Sequence, residues 1–323
     1  MVKEELLKLL EENRGEILPG NDLKDALGVS RNAVWKAIQL LKEEGHHIES
    51  IKNKGYTLLK QSDVLSVGGL TQALGAQPSY HVEVLEEVPS TNTYLKESDG
   101  KKNNTLVFAK KQTKGRGRLG RSFFSEDPGG LYFSLLKIED LLQYNPAYAT
   151  IACALSVRDA LSEVSGLSLS IKWVNDIYYE GKKLAGILTE GTLEMETGTL
   201  SSLILGIGIN VNTGSFPREL EDIATSLFME TGRTYVRQEV AKSVLSHLEK
   251  NLLLTKENPD ALLASYKKHL LYLGEEITFL YEKKPRMGIL KDLTAEGHLL
   301  VESEGSLLTL HSGEISIRKG DQT

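Results

Sequence analysis

The stretch "KKQTKGRGRLGRSFFSE", Lys110 to Glu126, decides how this chain is read. Its Gly115, Gly117 and Gly120 satisfy G-x-G-x-x-G, the spacing of a dinucleotide-binding turn. Such a turn leaves a strand and opens a helix whose free N–H groups meet a pyrophosphate. Upstream, "TLVFAKK" (Thr105 to Lys111) alternates as a strand does, so the first condition is met. Downstream, "RSFFSEDPGG" carries a Pro and two consecutive Gly, and "LYFSLLKI" then reads as a buried strand. The unit is therefore strand, loop, strand. Its variable positions hold Arg116, Arg118 and Arg121 where a Rossmann turn takes small residues, and the dinucleotide reading fails.

What remains is a loop with six basic residues: Lys110, Lys111, Lys114, Arg116, Arg118 and Arg121. No acidic residue interrupts them. Close like charges repel and Gly adds backbone freedom that is lost on ordering, so the empty loop is expected to be mobile. An anion that neutralises several of these charges would fold it down.

The rest of the chain sets limits. At 323 residues it is long enough for two or three domains with a substantial core. Hydrophobic content of 40% and charged content of 25% are those of a soluble globular protein, and no apolar run reaches transmembrane length. The first residues, "MVKEELLKLLEEN", form an amphipathic helix with both signs of charge rather than a signal peptide. One Cys excludes a disulfide framework; Cys153 sits in the apolar run "ATIACALSVRDAL" as an expected core thiol, and the cytoplasm is the expected compartment. The seven His show no metal-ligand spacing. A net charge of −6 excludes a chain coated along its whole length by nucleic acid but allows a local basic patch.

Three segments follow. Residues 1–62 read as helix, helix, turn, helix, hairpin. "VKEELLKLLEEN" places Leu6, Leu7, Leu9 and Leu10 on one face, and Gly28-Val29 turns the chain into a longer helix with Ser30 as N-cap. There Val34, Ile38 and Leu41 recur at i, i+4 and i+7, which leaves Arg31, Asn32, Lys36 and Gln39 facing outward. "HHIESIKNKGYTLL" gives two short strands around Asn53-Lys54-Gly55. This order resembles the winged helix-turn-helix DNA-binding domains. Ser30, Arg31, Asn32, Lys36 and Gln39 are then the groove-facing candidates, with Lys52 and Lys54 as a wing for flanking phosphates. Residues 1–61 carry ten Lys and Arg against ten Asp and Glu, with the positive charge in the third helix and wing.

"KQSDVLSVGG" reads as a polar linker. Residues 63–272 then hold the strand runs "HVEVLEEV", "TLVFAKK", "LYFSLLKI", "LSIKWVNDIYYE", "KKLAGILTEG" and "LSSLILGIGINVN". Helices are expected at Ser90 to Glu97, at Pro146 to Val164, and in "RQEVAKSVLSHLEKNLLL" and "NPDALLASYKKHLL". Strands mostly adjoin one another, so the expected class is α+β with a mixed or antiparallel sheet. Residues 273–323 turn to short β runs, "EEITFLYEKK", "RMGILKDLT", "HLLVESE" and "SLLTLHSGEISIR", a small barrel or sandwich.

Four motifs of the middle segment belong together: "STNTYL" at Ser90, "GRGRLGR" at Gly115, "KWVNDIYYEGKKLAGIL" at Lys172 and "GIGINVN" at Gly206. With the N-terminal domain, the whole chain resembles the bacterial bifunctional biotin protein ligases that also repress the biotin operator. The resemblance implies a biotin/lipoate ligase-like catalytic domain, related to class II aminoacyl-tRNA synthetases, and a C-terminal Src-homology-3-like β-barrel. It implies adenylation of biotin by ATP with magnesium, then biotin transfer to a lysine of a biotin carboxyl carrier protein or biotin-dependent carboxylase. It also implies a homodimer promoted by the adenylate on double-stranded operator DNA, with no membrane.

By the same resemblance, Lys183 in "KLAGIL" stands at the reacting centre with Arg116 and Arg118. Ser90, Thr91, Asn92 and Gln112 serve the ureido side of biotin, and Gly115 and Gly186 allow the backbone to approach it. Arg121, Trp173, Asn175, Asp176 and Asn210 surround the nucleotide, and Asp176 is the magnesium-side carboxylate. The family commonly has Trp after its arginine loop; this chain has Phe123 and Phe124, which keep an apolar lid without the indole N–H. Two rivals stay open: a lipoate-type ligase, and a biotin-sensing repressor without ligase activity.

Overall fold

The structure, a computed structural model, describes residues 2–75, 80–139, 146–193, 200–282, 284–311 and 318–319. The first unit contains α1 (Val2–Glu12), α2 (Gly20–Leu27), α3 (Arg31–Glu43), β1 (Ile48–Ile51) and β2 (Gly55–Leu58). α2 ends on Gly28, whose φ of 64° is the left-handed conformation that glycine takes without penalty. α3 starts where the Ser30 hydroxyl accepts the Ala33 N–H at 3.2 Å. Leu6, Leu10, Leu23, Val34, Ile38, Leu41 and Leu58 close a core of their own, each fully buried side chain contributing roughly 1.5–3 kcal/mol. Leu9 is only partly buried, and Glu11 completes the inner face of α1 instead. β1 and β2 pair antiparallel in the expected hairpin.

The segment expected as a linker is packed. Ser62 and Leu70 are wholly buried, Leu65 nearly so, and Gly68-Gly69 lies inside α4 (Val67–Leu74). A Cβ on Gly69 would lie 2.7 Å from Glu11 Oε1 on one side and crowd the Gln238 amide on the other, so a larger residue there would displace both side-chain ends. Arg14 bonds Glu11, the Ser62 carbonyl at 2.8 Å and Gln238 at 3.2 Å. Asp63 accepts the Arg237 backbone N–H and its Nε, each at 2.8 Å, and the Asn212 amide at 2.9 Å. The reader unit is thus docked on the central one.

That unit runs β3 (His81–Val88), α5 (Thr91–Glu97), β4 (Thr105–Gln112), β5 (Leu131–Lys137), α6 (Pro146–Ser165), β6 (Ser170–Lys172), β7 (Asp176–Tyr179), β8 (Lys182–Leu193), β9 (Leu200–Ile209), α7 (Leu227–Thr231), α8 (Arg237–Glu257) and α9 (Pro259–Lys267). The sheet order is β3-β4-β5-β9-β8-β7-β6. Among the described residues only β3 and β4 are neighbouring strands that run parallel in it, which makes the sheet mixed. One run read as a single strand, 169–180, splits into β6 and β7 around Trp173–Asn175.

Side-chain alternation assigns two faces. Leu106, Phe108, Leu203, Leu205 and Ile207 pack on α6, α8 and α9, with Cys153 fully buried among them and its thiol pKa pushed up by burial. Val107, Leu136 and Ile204 pack on Leu95 of α5. No helix of the described residues is long and apolar enough to cross a membrane.

The third unit is a five-stranded antiparallel sheet of β10 (Glu276–Tyr281), β11 (Lys284–Leu293), β12 (Leu299–Ser303), β13 (Ser306–Leu310) and β14 (Arg318–Lys319), ordered β13-β12-β11-β10-β14. The last expected β run, 306–318, lies partly outside the described residues.

Candidate active site

On the α5 face of the sheet, the pleat that carries Ile204 next presents Gly206 and Gly208 on β9. Across the ladder, Gly186 pairs with Gly208 and Leu188 with Gly206. Paired glycines leave bare backbone, the strand signature of a place where something lies directly on the sheet. A cavity of about 180 Å³ sits there.

One end is a buried hydrogen-bond cluster. Gln112 Oε1 accepts the Thr91 N–H at 2.8 Å and the Thr91 hydroxyl at 3.1 Å, so Gln112 caps α5. Ser90, in the N-cap position, makes no capping bond, and its side chain is left to the cavity wall. Ser134 Oγ lies 2.6 Å from both Thr91 Oγ1 and Asn92 Oδ1. Asn92 Nδ2 donates to the Leu188 carbonyl at 3.1 Å and to Glu190 at 2.9 Å. A Cβ on Gly206 would fall on the Asn92 amide, so that glycine makes room for the cluster.

The other end is cationic. Arg116, Arg118, Arg121, Lys172 and Lys183 line it with a single carboxylate, Asp176. Lys183 Nζ lies 2.8 Å from Asp176 Oδ1, an ion pair whose alignment does not make a hydrogen bond, because that buried oxygen has no hydrogen-bond partner. The Lys183 backbone is stitched to the turn beyond β9: its N–H donates to the Ile223 carbonyl at 2.8 Å, and its carbonyl accepts from Thr225 at 2.9 Å. Arg118 reaches the Asn175 oxygen at 3.5 Å; burial lowers its pKa from the ordinary value, and the negative charge of Asp176 opposes that shift. Asn175 is locked to β8 through the Ile187 carbonyl at 2.7 Å. Burial, with help from Asp176, pushes the Tyr178 hydroxyl up to about 12.

The basic loop is a tight hairpin: Gly117 N–H to the Arg121 carbonyl at 2.7 Å, Phe123 N–H to the Gly115 carbonyl at 3.0 Å, and a bridge between Arg116 and Ser122. Lys110 and Lys111 are not part of it. They lie on β4 and pair with Glu86 at 2.7 Å and Glu87 at 3.4 Å on β3. Arg116 is likewise offset by Glu190 at 3.2 Å. The hairpin's own cations are therefore Lys114, Arg116, Arg118 and Arg121.

Of the residues singled out in the sequence, Ser90, Thr91, Asn92, Gln112, Arg116, Arg118, Arg121, Phe123, Trp173, Asn175, Asp176, Lys183 and Gly186 line this one cavity. Three do not. Phe124 turns away to stack edge-on against Phe216 at 5.8 Å, and Phe123 alone covers the glycine floor, where a Cβ on Gly208 would meet its ring at 2.6 Å. Gly115 makes room for the Phe123 carbonyl and Ser125 rather than for the cavity. Asn210 is buried, and its amide ties the Thr225 carbonyl at 2.9 Å. The sequence reading missed Ser134, Lys172, Tyr178, Gly206 and Gly208. The glycines sat in a quoted motif, and their alternation with Ile was the available signal.

Trp173 forms the far wall. Its Nε1 donates to the Gly297 carbonyl at 3.0 Å, so a turn of the third unit holds the indole. Among the described residues no group of three His, Cys, Asp or Glu forms a metal cage. Asp176 Oδ1, which faces Lys183 in an ion pair but has no hydrogen-bond partner, fits a hard cation that arrives with phosphates, since Mg²⁺ in such sites takes only one or two protein carboxylates.

The sheet that carries this cavity belongs to the class of biotin and lipoate protein ligases, and a helix-turn-helix unit is docked on it. Residues 84–210 match the Biotin/lipoate A/B protein ligase family, residues 2–57 an HTH domain, and residues 272–318 the Biotin protein ligase C terminal domain. The chain is 34% identical to the bifunctional ligase/repressor BirA of Bacillus subtilis over 98% of both chains, and 29% identical to that of Escherichia coli over 95% of both. The biotin protein ligase of Aquifex aeolicus, solved with biotin and ATP, superposes with a TM-score of 0.67 at 38% identity, covering 74% of this chain and 99% of that one. The chain belongs to the bifunctional ligase/repressor family.

Proposed function

We propose that this protein is an ATP-dependent biotin protein ligase that also represses transcription in response to biotinyl-5'-AMP. The observation that carries the ligase reading is one cavity lined at one end by uncharged Ser90, Thr91, Asn92 and Gln112 and at the other by Arg118, Lys183 and Asp176. Ser90, Thr91 and Gln112 suit a ureido ring, and Asn92 braces Thr91 through Ser134 while Thr91 in turn bonds Gln112. The biotin carboxylate oxygen attacks the α-phosphorus of ATP, the bond to pyrophosphate breaks, and a mixed anhydride forms. Arg116, Arg118, Arg121 and Lys183 stabilise the negative charge that gathers there, the main contribution a protein makes to chemistry at phosphorus.

Trp173 and Asn175 flank the nucleotide. Asp176 would hold magnesium, which supplies further charge neutralisation at the phosphates. In the second step the uncharged amine of an acceptor lysine attacks the acyl carbon, the bond to AMP breaks, and the amine proton passes to solvent. Phe123 and the closed arginine hairpin exclude water from the anhydride.

Residues 1–62 form the DNA reader, 63–272 the catalytic domain and 273–323 the third domain. Ser30, Arg31, Asn32 and Lys36 are exposed and Gln39 half-exposed on α3, while Lys52 and Lys54 are exposed on the hairpin. This supports an operator-facing surface. The adenylate promotes a homodimer on two half-sites, and the chain works in the cytoplasm. The test gives the full-length protein ATP, an acceptor domain and either labelled biotin or labelled lipoate, and records its size and operator binding with and without biotin. Biotin transfer, a ligand-dependent dimer and tighter operator binding are expected. Transfer of lipoate alone, or of neither acid, overturns the ligase reading, and a monomer under all conditions overturns the dimer.

A further inference from the structure

Trp35 belongs to no site described so far. It stands in the second turn of α3 with 51% of its surface exposed. The core of the first unit closes from Val34, Ala37, Ile38 and Leu41 without it. At about 100° per residue, Trp35 lies between Arg31 and Gln39 on one row of the helix, beside Asn32 and Lys36. An indole left half in water forgoes burial that stabilises large apolar side chains, and one set among long polar donors marks a docking surface. The exposed cations around it, Arg31 and Lys36 on α3 with Lys52 and Lys54 on the hairpin, select a polyanion as the occupant.

We propose that Trp35 is a base-reading residue that packs its ring against a thymine 5-methyl group in the major groove. The proposal rests on the repressor reading and specifies which base chemistry the helix selects. Phosphates are served by the lysines and arginine, and base donors and acceptors by Asn32 and Gln39. The one apolar feature that a base pair shows in the major groove is the thymine methyl, and the first two turns of a recognition helix are the part that meets base edges.

The test selects operator duplexes from a random pool with the full-length protein plus biotin and ATP, then replaces each thymine by uracil in turn. At one position per half-site, loss of the methyl should weaken wild-type binding about fourfold. Trp35→Ala should bind the parent operator about tenfold more weakly and be indifferent to the methyl at that position. Trp35→Phe should keep part of the discrimination. Lys52→Ala, by contrast, should lower the salt dependence by about one phosphate contact, a slope that Trp35→Ala leaves alone. An enriched operator to which every thymine-to-uracil change is silent overturns the proposal, as does a Trp35→Ala variant that still discriminates the methyl. A wild-type chain that enriches no sequence overturns the repressor reading itself, and this proposal with it.

Discussion

The cavity and α3 both present polar side chains to an anionic partner, and they are built in opposite ways. The cavity draws its groups from α5, β4, β7, β8, β9 and the arginine hairpin, each fixed by bonds to another, over a floor from which side chains are missing. α3 draws its groups from thirteen consecutive residues and holds them mainly by helical geometry, with Arg31 Nε also donating to Asn21 Oδ1 of α2 at 2.9 Å. A change in the cavity should therefore spread through its neighbours, whereas a change on α3 should stay where it is made.

The sharpest way to break that contrast is Lys183→Ala. Its amine sits at the centre of the cationic end, and biotin-dependent pyrophosphate release should fall by roughly a hundredfold or more, measured under saturating substrates. Operator binding without ligand should be unchanged. A loss of DNA binding in the same variant would show that the two regions are not separable. The junction between them comes next. Arg237 is 7% exposed, and its charge is met by Asp63. Asp63→Ala leaves that guanidinium buried with only carbonyl partners, and denaturant unfolding should show a loss of about 3 kcal/mol.

The reader unit carries its own acid sensitivity. Burial depresses the pKa of His46 from 6.5 to about 4, so the unfolded chain takes up a proton before the folded one. The stability gained by keeping His46 neutral is whole above about pH 6.5 and is lost as pH falls towards 4, a cost of about 2 kcal/mol between pH 7 and pH 5. Denaturation of wild type and His46→Gln at the two pH values should show that part of the slope vanish in the variant. The smallest of these effects should be Gly206→Ala. Its Cβ displaces the Asn92 amide, which should raise the KM for biotin about tenfold with kcat nearly kept, as expected when binding common to ground and transition states is lost.

The same contrast explains what the sequence made legible. α3 was readable because Val34, Ile38 and Leu41 repeat on one face, which settles the outer face by subtraction. The strands were readable by alternation, and β3 matched its run residue for residue. Where polar residues were scattered through a run, reading failed: "LSIKWVNDIYYE" mixes Ser, Lys, Asn and Asp with apolar and aromatic residues, so Asn175-Asp176 did not stand out as the mark of the turn at Trp173–Asn175. Gly68-Gly69 looked like loop chemistry, yet it serves helix packing against Glu11 and Gln238, a contact between residues far apart in the chain. The cavity's composition came from resemblance rather than periodicity, because its members meet only after the sheet forms. Phe123 and Phe124 could not be told apart until Gly208 and Phe216 showed which surface each one covers.

An arm tied to the catalytic body at Arg14, and rooted on a residue, Asp63, that is itself fixed there, cannot serve as a swivel. The angle at which the recognition helix meets a duplex is then inherited from the catalytic body. For any two such chains seated side by side, the interval between the sequences they read would follow from how their bodies abut, and an extra residue spliced in beside Asp63 would reset that interval instead of loosening it.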